Sequence, residues 1–181
     1  MTRQPTTSST EPPIGDVDDA YQRLMPMLKA AGARYRIIDH APEGRTEVVS
    51  SYRGHPVACA AKCLVVMVKL DKRTSRYLLA VVPGDARVDL QALKTQAGGT
   101  YAAFASTEKA EALAGSVSGT ILPFSFHPDL ELVVDPGLLR HHEIFFNAAR
   151  LDRSLALHTE DYLRLTDPRI CPIAVGNGPK G

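Results

Sequence analysis

A valine-rich apolar run closed by a lysine at each end reads Lys62-Cys63-Leu64-Val65-Val66-Met67-Val68-Lys69. Six consecutive apolar residues predict a strand buried on both faces, although a short buried helix has the same pattern. In a strand, alternation places Lys62 on the face that carries Leu64 and Val66. The lysine then stands at the mouth of an apolar layer. The alternative is an ordinary strand-end lysine whose ammonium reaches solvent.

The segments around this run predict a mixed α/β (α+β) fold. Apolar alternation predicts further strands at 33–39, 76–82, 130–134, 143–147 and 154–158. Helical spacing predicts helices at 21–31, 46–53, 89–97, 107–114 and from 159 onwards. This order predicts a mixed sheet with helices around it, and neither a doubly wound fold nor a repeat.

Three local signals bear on where the helices begin and end. Thr46 is a candidate cap for the helix over 46–53, and Gly54 is suited to end that helix. Pro26 conflicts with the first helix, because an interior proline costs about 3 kcal/mol. We therefore expect the first helix to kink at Pro26 or to begin late.

The two ends of the chain differ in composition from the middle. Residues 1–16 are rich in Thr, Ser and Pro and lack apolar periodicity, which predicts a disordered N-terminal tail. Residues 167–181 are rich in Pro and Gly and predict a loose C-terminal tail. The folded domain is therefore expected over residues 17–166.

Length and charge place the chain in a broad class. A chain of 181 residues fits one domain, and a hydrophobic content of 44% with 23% charged residues is typical of a soluble globular protein. The formal net charge of +1 is too small to indicate nucleic-acid binding by itself. A local basic cluster is a candidate tRNA contact, with a solvated hairpin tip as the alternative. It consists of Lys69, Lys72, Arg73 and Arg76.

The cysteine count and the hydropathy of the chain together predict where the protein is found in the cell. No apolar run approaches the ~20 residues of a membrane span, and the N-terminus lacks the apolar core of a signal peptide. Three cysteines cannot all pair within one chain, so we expect a reducing cytoplasm. His55, Cys59 and Cys63 lie four residues apart, but this spacing differs from the Cys-x2-Cys of common zinc sites. We expect free thiols, no metal and no cofactor.

A second motif lies downstream, in the stretch Gly119-Thr120-Ile121-Leu122-Pro123-Phe124-Ser125-Phe126-His127-Pro128. Glycine is free to adopt backbone angles closed to other residues, whereas each proline fixes its own φ and restricts the residue before it. The combination predicts a rigid loop with exposed backbone N–H groups, and with Ser125 and His127 near its end. The alternative is a tight connection between a helix and a strand.

Together, the run begun by Lys62 and the Gly119 loop resemble the YbaK/EbsC/ProX family of trans-editing aminoacyl-tRNA deacylases. That family includes the editing domain inserted in some prolyl-tRNA synthetases. The resemblance covers about residues 20–166 and adds five motifs in order. These are Tyr35-Arg36-Ile37-Ile38-Asp39-His40, Val82-Pro83-Gly84-Asp85, Gly119-x-x-x-Pro123, Val133-Val134-Asp135 and Glu143-Ile144-x-Phe146-Asn147-Ala148.

Within the family, two segments resemble the branch that clears serine or threonine from mischarged tRNA. They are Phe124-Ser125-Phe126-His127-Pro128 and Leu151-Asp152-Arg153-Ser154. One position departs from the pattern, because Ala149 stands where the resemblance leads us to expect glycine.

The resemblance implies a fold and a reaction. The fold is a mixed, partly barrel-like sheet with a cleft between Lys62 and the Gly119 loop, and these two are the implied catalytic elements. The substrate is an aminoacyl ester on the 3′-terminal ribose of mischarged tRNA. We assign Lys62 to holding a carbonyl or phosphate oxygen of the substrate. The resemblance suggests the substrate's own ribose hydroxyl as general base.

Seven further residues are candidates for substrate binding, by position and chemistry: His40, Thr120, Pro123, Phe124, Ser125, His127 and Asn147. The alternatives are that His40 is a core or edge histidine, that His127 braces the loop and that Asn147 ties a turn. Our hypothesis is that Ser125 lines the pocket, because a hydrogen-bonded hydroxyl discriminates between substrates better than a methylene does.

Two other functions fit the same residues. One is a non-catalytic module that binds tRNA or a synthetase without cleaving the ester. The other is a deacylase directed at alanyl- or prolyl-tRNA. The expected partners are mischarged tRNA and an aminoacyl-tRNA synthetase, with no membrane.

Overall fold

The computed structural model describes residues 19–176. The helices are α1 Asp19–Ala30, α2 Thr46–Arg53, α3 Leu90–Gln96, α4 Thr107–Ala114 and α5 Thr159–Thr166. The strands are β1 Tyr35–Asp39, β2 Ala61–Lys69, β3 Ser75–Pro83, β4 Ala86–Val88, β5 Tyr101–Phe104, β6 Leu130–Val134, β7 Glu143–Asn147, β8 Arg153–His158, β9 Arg169–Ile170 and β10 Ala174–Gly176.

The largest sheet is mixed, as predicted. Its strand order is β5-β2-β3-β6-β9, with β2 antiparallel to both β3 and β5, and β6 parallel to both β3 and β9. The central strand β3 is buried at every residue from Leu78 to Pro83. The apolar run begun by Lys62 is therefore a strand in the interior of the sheet, and the helical alternative is wrong.

Two smaller sheets complete the architecture. One has the antiparallel order β1-β8-β7, and the other pairs β4 with β10. A single parallel bridge between Ala60 and Phe145 connects the start of β2 with β7. Over residues 19–176 the strands form three separate sheets that do not close into one barrel.

The two faces of β2 and β3 bury separate cores. Val65, Leu79 and Val81 pack with residues of α1, α4 and α5 on one face. Val66 and Leu78 belong to the second core on the opposite face, with Leu93 of α3. This division follows from strand alternation, and it places the side chains of Leu64 and Val66 on one face as predicted.

The expected Thr46 cap of α2 and a late start of the first helix are both wrong, whereas a kink at Pro26 stays a prediction. Arg45 occupies the cap position of α2 and makes no capping bond through its side chain, while Thr46 is already helical. Helix α1 starts at Asp19 and continues through Pro26. Leu24 and Leu28 of that helix are fully buried, and their burial offsets the cost of the proline. Gly54 does end α2, in the left-handed region.

The predicted loose C-terminal tail is wrong for residues 169–176. β9 pairs with β6, and β10 pairs with β4. Between them, Ile173 is fully buried and its N–H donates to the carboxylate of Asp135 at 2.8 Å. These contacts fix the segment, and they also give Asp135 a structural role. The predicted N-terminal tail, 1–16, lies outside the described residues.

Every helix in the described range, 19–176, is too short or too polar to cross a bilayer. Within those residues, no three His, Cys, Asp or Glu side chains come together as a metal ion requires. The three cysteines Cys59, Cys63 and Cys171 are free thiols.

Candidate active site

A cleft opens where β2 and β7 separate. Ala60, the residue before β2, forms an isolated parallel bridge with Phe145 of β7, and the two strands share no ladder. A cavity of about 320 Å³ lies beyond that point. Its walls come from β2, β7, helix α2 with the turn before it, and the Gly119 loop. The lining residues are Gly44, Arg45, Thr46, Glu47, Val49, Arg53, Ala61, Lys62, Cys63, Leu64, Gly119, Ile121, Phe146 and Asn147.

The edge of β2 is open on the cleft side. The carbonyl of Val65 accepts a hydrogen bond from Ala105, on the side of β5, and the carbonyl of Val81 accepts from Asp135, on the side of β6. The facing pair of Cys63 and Val81 is therefore a non-hydrogen-bonded pair, whose backbone groups point away from each other. The N–H and C=O of Cys63 face the cleft, because β5 pairs with β2 only over 66–69.

The ammonium of Lys62 is anchored at this edge. Its Nζ donates to the carbonyl oxygen of Ala86 at 2.7 Å, and the side chain lines the cavity. An ammonium carries three donors, so two protons remain for a ligand. The lysine therefore presents a fixed cation to the cleft and does not simply extend into solvent.

Gly119 forms the opposite wall through its backbone. Its φ is +86°, in the region that favours glycine. A β-carbon at this position would lie 3.1 Å from the Cα of Gly44. The close approach of this loop to the turn before α2 therefore favours glycine at position 119.

Asn147 ties these two backbone segments together. Its Nδ2 donates to the carbonyl of Gly119 at 3.0 Å and to the carbonyl of Glu43 at 2.9 Å. Both acceptors are carbonyls, so the donor end of the amide faces them and the acceptor end faces the protein interior. The amide is thus used in holding the loop, which agrees with the alternative that Asn147 ties a turn.

A buried serine supports Asn147 from behind. Ser154 is fully buried, and its hydroxyl donates to Oδ1 of Asn147 at 3.0 Å. Nε2 of His40 lies 2.6 Å from the same hydroxyl oxygen, and Nδ1 of His40 lies 2.8 Å from the carbonyl of Ala41. His40 is therefore connected to the Gly119 loop through Ser154 and Asn147 but does not itself line the cavity.

The five remaining predicted residues also lie outside the cavity lining. The hydroxyl of Thr120 donates to the carbonyl of Val117, and the carbonyl of Pro123 accepts from the buried Tyr162. Phe124 packs edge-on against Phe146 and Tyr162. These contacts hold the loop against the core.

Ser125 and His127 brace the end of the same loop. The hydroxyl of Ser125 donates to the carbonyl of Leu130, at the start of β6. Nδ1 of His127 accepts from the N–H of Asp129, and the imidazole lines a separate cavity of about 110 Å³ beside α1 and α4. Ser125 is therefore placed behind the loop, and the hypothesis that its hydroxyl lines the pocket is wrong.

Sequence reasoning missed the two charged cavity residues of helix α2, Glu47 and Arg53. Burial lowers the pKa of Arg53 to about 10, because its guanidinium is removed from solvent. Nη1 of Arg53 is buried and forms no hydrogen bond within residues 19–176. Thr46, Val49 and Arg53 share one helical face by their spacing, and that pattern is the only signal the sequence offers.

Cys63 is the one thiol in the cavity lining of the described chain. Burial raises the pKa of this thiol well above its usual range. A thiol is nucleophilic as the thiolate, so a raised pKa argues against covalent catalysis by Cys63. The chemical groups of the cleft therefore include an anchored ammonium, the backbone of Cys63 and Gly119, and the charged side chains of Glu47 and Arg53.

Comparison with known proteins shows which family has this sequence pattern and fold. The chain belongs to the aminoacyl-tRNA editing domain family, whose model matches residues 40–165. The predicted family is thereby confirmed.

Among curated relatives, the Multifunctional Ser/Thr-tRNA deacylase ProXp-y of Escherichia coli (strain K12) is 42% identical over 151 residues, covering 83% of this chain and 90% of the relative. The protein of the same name from Escherichia coli O157:H7 matches equally.

Two solved structures share the fold. The crystal structure of a hypothetical protein has a TM-score of 0.75 and 22% identity, covering 84% of this chain and 99% of that one. The crystal structure of a putative trans-editing enzyme for prolyl tRNA synthetase has a TM-score of 0.71 and 20% identity, covering 87% and 98%. Identities at this level establish the architecture alone.

Proposed function

We propose that this protein is a trans-editing deacylase that hydrolyses the ester of mischarged tRNA carrying serine or threonine. The observation that carries the proposal is the placement of the Lys62 ammonium and the Gly119 backbone on opposite walls of one cavity of about 320 Å³. The name of the 42% identical relative from Escherichia coli supports the choice of serine and threonine.

The proposed chemistry is the addition of water to the acyl carbon of the ester. Negative charge then develops on the carbonyl oxygen, where preorganised donors stabilise it most. The remaining protons of Lys62 and the cleft-facing N–H of Cys63 supply such donors. The C–O bond to the ribose breaks, and the ribose oxygen leaves with a proton.

We assign the general base to the neighbouring ribose hydroxyl of the substrate. Lys62 is bonded to a carbonyl, the pKa of Cys63 is raised, and His40 is withdrawn behind Asn147. Glu47 lines the cavity, and we give it the α-ammonium of the aminoacyl group as its partner. A base supplied by the substrate agrees with a cleft whose lining contains no histidine.

Mischarged tRNA must also be held by its phosphates. In the basic cluster at the β2–β3 hairpin, Arg76 is paired with Glu131. Lys69, Lys72 and Arg73 are left for phosphate contacts. We propose that they supply a modest footprint with a correspondingly small salt dependence. We further propose that the protein works in the cytoplasm, beside the synthetase that makes the charging error.

The test is deacylation of seryl-, threonyl-, alanyl- and prolyl-tRNA, each on matched and mismatched tRNA. Wild type is expected to release serine or threonine from a mismatched tRNA, and Lys62→Ala to lose at least about 100-fold in rate, as for removal of an oxyanion donor. Lys29→Ala is the matched control, because Lys29 is an exposed lysine at the end of α1.

Three outcomes would each overturn a different part of the proposal. Folded wild-type protein that binds tRNA but hydrolyses no ester would establish the non-catalytic binding module. Preference for alanyl- or prolyl-tRNA would keep the reaction and change the substrate. A Lys62→Ala protein with wild-type turnover would remove the lysine from the mechanism.

A further inference from the structure

A second, larger cavity adjoins the candidate active site. It measures about 600 Å³ and shares Lys62 and Leu64 with the cavity described above. We call it the Phe104 cavity. Its other walls come from β4, the start of α3, the end of β5 and β10, with Arg87, Val88, Leu90 and Phe104 among them.

Phe104 and Lys62 lie on the same side of the sheet. Phe104 pairs directly with Val66 of β2, and cross-strand partners project to the same face. Alternation along β2 puts Val66, Leu64 and Lys62 on that face. The phenyl ring is 51% exposed. The exposed ring of Phe104 therefore lies beside Val66, two positions along β2 from Leu64, which lines both cavities.

The cavity combines an apolar wall with a free cation. Phe104, Leu64, Val88 and Leu90 supply aromatic and aliphatic surface. Arg87 is exposed and forms no ion pair within residues 19–176. The carboxylate of Asp89 caps α3 by accepting from the N–H of Ala92. Lys62 and Arg87 outnumber this one carboxylate, so the lining of the Phe104 cavity carries a net positive charge.

The substrate has a part that needs such a surface. An aminoacyl group in the active-site cavity is joined through the ribose to the terminal base and its 5′ phosphate. The two cavities share Lys62 and Leu64, so these groups can extend from the active-site cavity into the Phe104 cavity. A base stacks on an exposed aromatic ring irrespective of its sequence, and a phosphate pairs with an arginine.

We propose that the Phe104 cavity binds the 3′-terminal nucleoside of the tRNA, with the base stacked on Phe104 and the 5′ phosphate paired with Arg87. This inference rests on the proposed function, because it places the nucleoside relative to an ester at Lys62. It assigns Phe104 and Arg87 to substrate binding and leaves the bond-breaking step to the cleft.

The chain offers a matched control for Phe104. Tyr101 lies on the same strand and is 53% exposed. It pairs with Lys69, three positions along β2 from Val66, and so projects to the other face. It is absent from the lining of the Phe104 cavity. Tyr101→Ala removes an equally exposed ring from the same edge strand without touching the cavity.

The first experiment compares two substrates with Phe104→Ala, Phe104→Tyr and Tyr101→Ala. One substrate is seryl-tRNA, and the other is a serine ester of methyl riboside, which keeps the ribose and lacks the base. Phe104→Ala is expected to raise KM for seryl-tRNA about 5- to 150-fold, with kcat little changed and the riboside ester unaffected. Phe104→Tyr and Tyr101→Ala are expected to stay near wild type.

Direct binding of 5′-AMP separates this inference from the proposed function. The probe carries the nucleoside and its phosphate but no ester, so its Kd does not depend on hydrolysis. Phe104→Ala and Arg87→Ala are each expected to weaken 5′-AMP binding, and Tyr101→Ala is not. Unchanged 5′-AMP binding in both variants, or equal losses on the two esters, would overturn the nucleoside assignment even if deacylation is confirmed. A wild type that hydrolyses neither ester yet binds 5′-AMP through Phe104 would overturn the proposed function alone.

Discussion

The side-chain amide of Asn147 lies 3.0 Å from the carbonyl oxygen of Gly119 and so fastens the end of β7 to the loop on the far wall of the cleft. The same nitrogen donates to the carbonyl of Glu43. One amide therefore fixes two of the backbone segments that shape the cavity. The position of the Gly119 loop depends on a side chain that carries no charge.

Replacement of Asn147 tests this dependence. Asn147→Ala leaves two carbonyls without their donor, and the expected loss is about 1–3 kcal/mol in the free energy of unfolding, together with reduced kcat. Asn147→Asp is expected to be worse, because a carboxylate would face two carbonyl oxygens. Urea unfolding and deacylation rates measure the two effects. An Asn147→Asp protein with wild-type turnover would contradict the role of the amide.

Gly119→Ala is expected to reduce deacylation at least about 10-fold, because misplacement of a site by 1 Å can cost about 100-fold in rate. The left-handed φ of +86° disfavours a β-carbon, and that carbon would also press on Gly44. Gly115→Ala is the control. Gly115 has a similar φ of +69°, with nothing within 4 Å of the added carbon. It should lose stability and keep activity, and equal activity losses in both variants would count against the loop.

Cys63→Ala is expected to deacylate within a few-fold of wild type. The backbone N–H of residue 63 faces the cleft whatever the side chain, and burial keeps the thiol protonated by raising its pKa. Rates before and after treatment with a thiol reagent provide the measurement. A loss of activity above about 100-fold in folded Cys63→Ala would indicate covalent catalysis instead.

Ala149→Gly is expected to stabilise the protein by about 0.5–1 kcal/mol. Ala149 has a φ of +59°, where a β-carbon costs about 1–2 kcal/mol, and the greater freedom of glycine in the unfolded chain offsets part of the gain. The midpoint of urea unfolding measures the change. Ala148→Gly, at the neighbouring buried residue without a positive φ, should instead destabilise. A destabilised Ala149→Gly protein would show that the strain is not released.

The carboxylate of Asp161 is expected to stabilise the folded protein in a way that is lost in acid. It accepts from the backbone N–H and the Nε of Arg34, and these hydrogen bonds lower the pKa of its carboxyl well below the usual range. A lowered folded-state pKa stabilises the protein above the unfolded pKa of about 3.9, and this contribution is lost as the pH falls below it.

The matched variant for this pH effect is Asp161→Asn. The difference in the free energy of unfolding between wild type and Asp161→Asn is expected to be largest near pH 7 and to shrink below about pH 4. Urea unfolding at several pH values measures it. If the difference in unfolding free energy stays constant from pH 7 to pH 3, the effect comes from the packing and hydrogen bonds of the side chain and not from its charge.

The long elements of the fold could be predicted because their signals are local. Thr107–Ala114 and Leu130–Val134 have the predicted bounds, since a capping serine or an apolar run defines each of them. Strands of two or three residues, such as Arg169–Ile170 and Ala174–Gly176, have no periodicity to detect. Their pairing is decided by the sheet edges they meet, which only the folded chain brings together.

The sequence predicted those site residues that belong to a recognisable motif. Lys62, Gly119 and Asn147 line the cleft, and their proposed catalytic and binding roles stay predictions. Ser125 looked like a pocket residue because its motif adjoins Gly119, yet its hydroxyl turns back to Leu130. Arg53 and Phe104 were missed because each reaches its cavity through packing between elements distant in sequence.

The contact between Gly44 and Gly119 has a consequence for how this protein can change. The wall is made where two backbones touch, and a β-carbon at position 119 would lie 3.1 Å from the Cα of Gly44, so a methyl group there would press on the neighbouring backbone. This part of the wall is therefore set by backbone geometry and not by the chemistry of a side chain. Thr46 and Ile121 line the same cavity and carry side chains that can vary in size or polarity. New amino acid selectivities can arise at those positions while the hydrolytic geometry is inherited unchanged.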